Sequence, residues 1–126
     1  MPNVIIEVSH DHLISQPDSL LTRVNDTLWQ SGSFKLQSDI KSRIYYPNQV
    51  LVGLTDSGDE AFVMAHFYLM PGRDDATIQS LAQRIADAIK AHLQEFKSEV
   101  PVGSLQICVN STTLSANYVK QYVEFK

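Results

Sequence analysis

The chain has 126 residues, 44% apolar and 19% charged, which is enough apolar material for one packed core and too much for a disordered chain. Ten Lys and Arg against fourteen Asp and Glu leave a formal net charge of −4 with no basic run, which argues against a nucleic-acid partner. A single cysteine, Cys108, supports neither a disulfide framework nor a cysteine-rich zinc site, and no apolar run approaches the ~20 residues of a membrane span. One domain over residues 1–126 is expected. The start lacks a basic segment followed by a long apolar one, so the expected compartment is the cytoplasm.

Val4-Ile5-Ile6-Glu7-Val8 is a β-branched run and predicts a strand almost at the first residue. Ser9-His10-Asp11-His12 reads as a loop. Pro17 can open a helix, Asp18 favours its first turn, and Leu20, Leu21, Val24 and Leu28 recur at helical spacing. With Gly32 as a stop, the first helix is predicted over Pro17 to Gln30. Ile40 to Tyr45 reads as a second strand. Val50 to Leu54 suggests a hairpin-like insertion before the turn cluster Thr55-Asp56-Ser57-Gly58-Asp59.

Ala61 to Met70 is almost continuously apolar and predicts a strand buried on both faces. Asp74 and Asp75 can cap a helix start, and Ile78, Leu81, Ala82, Ile85, Ile89, Leu93 and Phe96 mark one face of a long helix. Leu105 to Val109 is the last clear strand, with Cys108 expected as a small buried hydrophobe. The segment from Leu114 to Phe125 carries Tyr118, Val119, Tyr122 and Val123, too apolar for a free tail, and is expected to dock.

This order gives two βαβ units, hence an α+β fold: a four-stranded mixed sheet with both helices on one face. Two helices leave the other face uncovered. If the central strand is apolar on both sides, symmetric assembly is the natural cover, so a homo-oligomer is expected.

Met1-Pro2 followed directly by a β-branched strand, in a chain of this plan and length, resembles the tautomerase superfamily. The closer resemblance is to the 5-carboxymethyl-2-hydroxymuconate isomerase family. It runs through Met1-Pro2, Ile6-Glu7, Val24-Asn25, the segment around Ser42-Arg43, Ala61-Phe62-Val63, Gly72-Arg73 and Phe125-Lys126, so it covers essentially the whole chain. The resemblance implies a homotrimeric isomerase without cofactor or metal, acting on a small dicarboxylate in the degradation of homoprotocatechuate and related aromatics. It implies that Pro2 is the general base and that cations hold the substrate carboxylates, here Arg73 and Lys41. Lys41-Ser42-Arg43 stands where the family usually shows Arg-Ser-Arg, and Tyr45 stands where the relative has His.

The chemistry needs a neutral amine near pH 7. Removal of Met1 would leave the secondary amine of Pro2, and α-amino groups titrate near ~7.7–8.0. Burial and nearby cations would destabilise the ammonium form and keep the base free. Arg73 lies between a strand end and a helix start, a natural anion position, though pairing with Asp74 or Asp75 would satisfy it equally. Lys41 and Arg43, two apart on a strand, share a face, which suits either a carboxylate grip or a solvated surface. Tyr45 beside Arg43 could line the same pocket.

His10 and His12 lack a third metal ligand in sequence. His66 is expected in the core, His92 exposed, and Trp29 in packing. Two further readings stay open: another proline-dependent enzyme, hydratase- or dehalogenase-like, on the same fold, or a non-catalytic oligomeric binding protein.

Overall fold

The computed structural model describes residues 1–55, 58–100 and 102–125. Asp56 and Ser57 of the expected turn cluster, and Lys126, therefore lie outside the described residues.

Strand β1 spans Asn3–Val8, helix α1 Pro17–Gln30, β2 Lys41–Tyr45, β3 Glu60–Leu69, α2 Asp75–Glu95 and β4 Ser104–Thr113, with a short 3-10 turn at Gln37–Asp39. The sheet order is β2-β1-β3-β4. β1 runs parallel to β2, β3 parallel to β4, and the two units meet antiparallel through β1 and β3. This is the expected mixed sheet of two βαβ units.

Strand alternation sorts the side chains. Val4, Ile6 and Val8 of β1 stand opposite Phe67, Ala65 and Val63 of β3, and all six are buried. Ile44, Leu105, Ile107 and Val109 pack against the same core. Both helices cover this face. α1 contributes Leu20, Val24 and Leu28, and α2 contributes Leu81, Ile85 and Ile89. Between the helices, Arg23 pairs with Glu95, and Arg84 Nη1 donates to the Thr27 carbonyl at 3.2 Å.

The helix ends follow local chemistry. Pro17 sits in the first turn of α1, where its missing N–H costs nothing. Ser31 Oγ donates to the Leu28 carbonyl, and Gly32, at φ +75°, takes the left-handed turn that ends the helix. At α2 the Asp74 carboxylate accepts from the Thr77 N–H at 2.8 Å. These hydrogen bonds favour the charged form and hold the Asp74 carboxyl below its ordinary value.

Several expectations are corrected. β3 is buried on one face only; Phe62, Met64, His66 and Tyr68 on the other are half-buried within one chain. Cys108 lies in the same open layer and is half-buried. His66 is therefore not a core residue: its Nε2 lies 3.6 Å from Glu7 Oε1 on the open face. His92 is the reverse case. It is fully buried against Phe96, and its Nε2 donates to the Ser15 carbonyl at 2.6 Å. The apolar segment 50–54 forms no strand, and Leu51 and Leu54 are exposed. The last strand runs four residues past Val109 because Asn110–Thr113 pair with His66–Leu69.

One polar pair ties the edge strand to the helix layer. Ser42 Oγ donates to Asn25 Oδ1 at 2.7 Å, and Asn25 Nδ2 reaches the Ile40 carbonyl at 3.5 Å. Ser42→Ala should therefore lower stability by about 1 kcal/mol, read as a shift of the urea midpoint at fixed protein concentration.

Candidate active site

The topology gathers one end of the sheet. β1 and β2 begin there, while β3 and β4, antiparallel to β1, end there. Pro2 immediately precedes β1 and is buried. Its carbonyl accepts the Lys41 N–H at 3.2 Å, which fixes the start of β2 beside it. After β3, Gly72 adopts φ +117°, a conformation an L side chain rarely tolerates, and the turn carries Arg73 to this end.

Arg73 is positioned by packing. Its Nη2 donates to the Ser33 carbonyl at 2.9 Å, and its guanidinium lies 4.8 Å from the Phe34 ring centroid. A guanidinium has five N–H donors, so this anchoring leaves several for an anion. Lys41 is exposed, with Nζ donating to the Asp39 carbonyl at 3.1 Å. Lys120 arrives from the segment after β4, with Nζ 4.0 Å from Asp39 Oδ1 and 5.2 Å from the Tyr122 ring centroid.

These charges act on the terminal amine. With Met1 in place, that amine is held below its ordinary value of 8.0. Burial is the largest cause, followed by the positive charges of Lys120 and Lys41 and, more weakly, Arg73; Asp39 opposes them.

Arg43 and Tyr45 differ in their placement. Arg43 does share the face of β2 with Lys41, but its Nη1 donates to Asn3 Oδ1 at 2.8 Å, which holds it on the open sheet face. Tyr45 stands opposite Glu7 at the far end of β2, about 13 Å along the strand from Lys41, and is 56% exposed. Within one chain, Pro2, Lys41 and Arg73 lie at one end of the sheet, Arg43 reaches toward it through Asn3, and Tyr45 lies apart. Lys120, Asp39 and Phe34 are additions that spacing did not reveal.

Among the described residues no group of three His, Cys, Asp or Glu could hold a metal ion. His10 Nδ1 lies 2.7 Å from Ser9 Oγ, and His12 lies 4.0 Å from Glu99. A surface cavity of about 440 Å³ beside α1 is lined by Thr22, Asn25, Trp29 and Ile40 among others, but by none of Pro2, Lys41, Arg73 or Lys120.

The sequence profile of 5-carboxymethyl-2-hydroxymuconate isomerase matches residues 2–121. The chain belongs to that family. It is accordingly an isomerase of the tautomerase type. No curated protein sequence matches the chain.

Among solved structures, a 5-carboxymethyl-2-hydroxymuconate delta-isomerase superimposes with a TM-score of 0.75 at 15% identity, covering 98% of this chain and 89% of the other. A 5-carboxymethyl-2-hydroxymuconate isomerase from Deinococcus radiodurans R1 gives 0.74 at 20% identity, covering 95% and 88%. A fused 4-OT wild-type symmetric trimer gives 0.60 at 14% identity, covering 93% and 94%. At these identities the likeness shows the shared tautomerase fold. In this isomerase family member, the turn at Gly72 brings Arg73 near enough for its charge to act on the terminal amine.

The sign of the electrostatics gives a measurable outcome. The folded amine binds its proton less tightly than the unfolded one, so stability rises with pH from the lowered folded value up to 8.0. Lys41→Gln should move the folded amine's titration upward, since one of the cations opposing its charge is lost. Nitrogen-15 NMR of the terminal amine against pH checks this; an unchanged curve would contradict the charge assignment.

Proposed function

We propose that residues 1–126 form one tautomerase-like domain acting in the cytoplasm as a cofactor-independent isomerase. It converts a 2-hydroxymuconate-type dienol, the dicarboxylate itself or its tricarboxylate analogue 5-carboxymethyl-2-hydroxymuconate, to its conjugated ketone. The observation that carries this reading is the placement of Pro2, buried at the head of β1, beside Lys41 and within the field of Arg73. Removal of Met1 turns that residue into the chain's amine.

In this reading Pro2 takes the proton of the 2-hydroxyl group. The O–H electrons become the C=O π bond, the double bond shifts along the conjugated chain, and the prolinium returns the proton at the remote carbon. Atoms and electrons balance within one substrate. Arg73 grips one carboxylate with the donors that Ser33 leaves free, and Lys41 holds a second as a point charge. Both cations also stabilise the negative charge that spreads over the dienolate. Of the other two residues expected at the site, Arg43 is anchored on Asn3, next to Pro2, through one of its donors and keeps others for an anion, whereas Tyr45 is distant within one chain.

The homotrimer belongs to the same proposal. Ile5, Phe62, Met64, Tyr68 and Cys108 form a continuous half-buried layer on the face without helices, and the trimeric fold neighbour supports three copies as its cover. The resemblance supports a role for this reaction in homoprotocatechuate degradation.

Lys41 in place of the family's arginine favours a second reading, a different proline-dependent tautomerase or hydratase. A lone ammonium accepts more varied anions than a planar fork.

Ultraviolet absorbance separates these readings. Ketonisation of 2-hydroxymuconate and its 5-carboxymethyl analogue should be rapid, with mass spectrometry confirming loss of Met1. Pro2→Ala should reduce kcat by about 100-fold or more. Arg73→Gln should reduce kcat/KM by about 10- to 100-fold through loss of a charged hydrogen bond. No turnover by the processed, folded wild type would move the assignment to the second reading. Separately, sedimentation velocity should show three 14.1 kDa chains together, and Met64→Arg on the open face should dissociate them.

A further inference from the structure

The segment after β4 takes a path that the sheet order makes informative. Leu114 leaves β4 with its N–H on the Leu69 carbonyl at 2.8 Å. That is one edge of the β2-β1-β3-β4 sheet. Lys120 nevertheless ends 4.0 Å from Asp39, which sits just before β2 at the opposite edge. Residues 114–120 therefore cross three strand spacings of about 4.8 Å, roughly 14 Å in all, over the ends of β3 and β1. A turn in which Tyr118 N–H bonds the Ser115 carbonyl at 3.1 Å and Asn117 N–H bonds Ser115 Oγ at 2.9 Å shapes the crossing. The crossing passes the end of the sheet where Pro2 opens β1.

The crossing is not secured by apolar burial. Val119 is 78% and Tyr122 74% exposed. Its recorded side-chain link to the sheet edge is the one between Lys120 and Asp39. The Tyr122 hydroxyl, helped by the Asp39 charge, holds the Lys120 ammonium above its ordinary value, so it stays charged across the working pH range.

We propose that Lys120 is a substrate-binding residue of this active site, delivered across the Pro2 end by residues 114–120 and exchanging Asp39 for a substrate carboxylate. The proposal rests on the reading that the site takes a dicarboxylate. Asp39 is a place-holder in this arrangement: a carboxylate at Lys120 in the free chain, displaced by the carboxylate of the ligand. Of the three cations acting on the Met1 amine, Lys120 exerts the strongest effect, so its charge acts at the start of the chain just before β1.

The test compares Lys120→Gln and Lys120→Arg with wild type in two measurements: KM and kcat for 2-hydroxymuconate, and the nitrogen-15 titration of the terminal amine without substrate. Lys120→Gln should raise KM about 10-fold with a smaller change in kcat, and should shift the amine titration upward. Lys120→Arg should restore both. Unchanged KM and an unchanged titration in folded Lys120→Gln would overturn the proposal. If wild type does not turn over the dienol, the substrate reading fails by itself. The amine titration then decides whether Lys120 acts at the site: a shift in Lys120→Gln reversed in Lys120→Arg upholds its place, and no shift overturns it.

Discussion

The antiparallel pairing of β1 with β3, between two parallel partners, sets both the core and the site. Its register puts Val4, Ile6 and Val8 over Phe67, Ala65 and Val63, which gives the helices one continuous apolar surface to cover. A slip by one residue would turn Ile5 and Glu7 into the core and Ile6 out of it. The same register fixes which strand ends coincide. Because β3 and β4 run against β1, their ends meet its beginning, so Pro2, the Arg73 turn and the segment carrying Lys120 share one end of the molecule. Core and cation cluster thus follow from a single pairing.

Much of this was legible in the sequence where periodicity and capping agree. The bounds of α1 follow from Pro17 and from Leu20, Val24 and Leu28 at helical spacing, and Asp74 caps α2 as its position suggests. The errors have physical reasons. β3 is apolar in both alternating sets, and composition does not distinguish a strand covered on both faces by its own chain from one covered on a single face. His92 stands three residues after Ile89 and seven after Ile85, on the buried stripe of α2. Its polarity suggested exposure, but the imidazole satisfies Nε2 on the Ser15 carbonyl while its ring packs on Phe96. His66 was misread in the opposite sense, because apolar neighbours in sequence alternate away from it on the strand.

The site was legible in a different measure. Pro2, Lys41 and Arg73 came from the resemblance to the isomerase family, not from spacing. Spacing put Arg43 with Lys41, and the shared face is real, with Asn3 anchoring the guanidinium through one donor beside Pro2. Adjacency to Arg43 drew in Tyr45, but an extended strand carries side chains about 3.3 Å further apart with each residue, so neighbours in sequence reach different ends. Lys120 left no local signal. Its place depends on the course of residues 114–120 over the sheet end, which is a tertiary fact.

The cation cluster also bears on how Lys41 serves in the proposed mechanism, where the resemblance implies an arginine. Arginine grips a carboxylate with a rigid fork, so a single side chain supplies both charge and orientation. Lysine supplies charge without orientation. In the proposed mechanism the orienting role falls on Arg73, held between the Ser33 carbonyl and the Phe34 ring. Lys41 and Lys120 flank Asp39, which engages the first through its backbone carbonyl and the second through its carboxylate. The Asp39 carboxylate offsets only part of the positive charge that Lys120, Lys41 and Arg73 bring to this end of the sheet. That excess charge, with burial, disfavours the ammonium form of the terminal amine. The same feature would draw an anionic ligand and keep a base unprotonated, so in the proposed mechanism binding and proton transfer depend on one electrostatic arrangement.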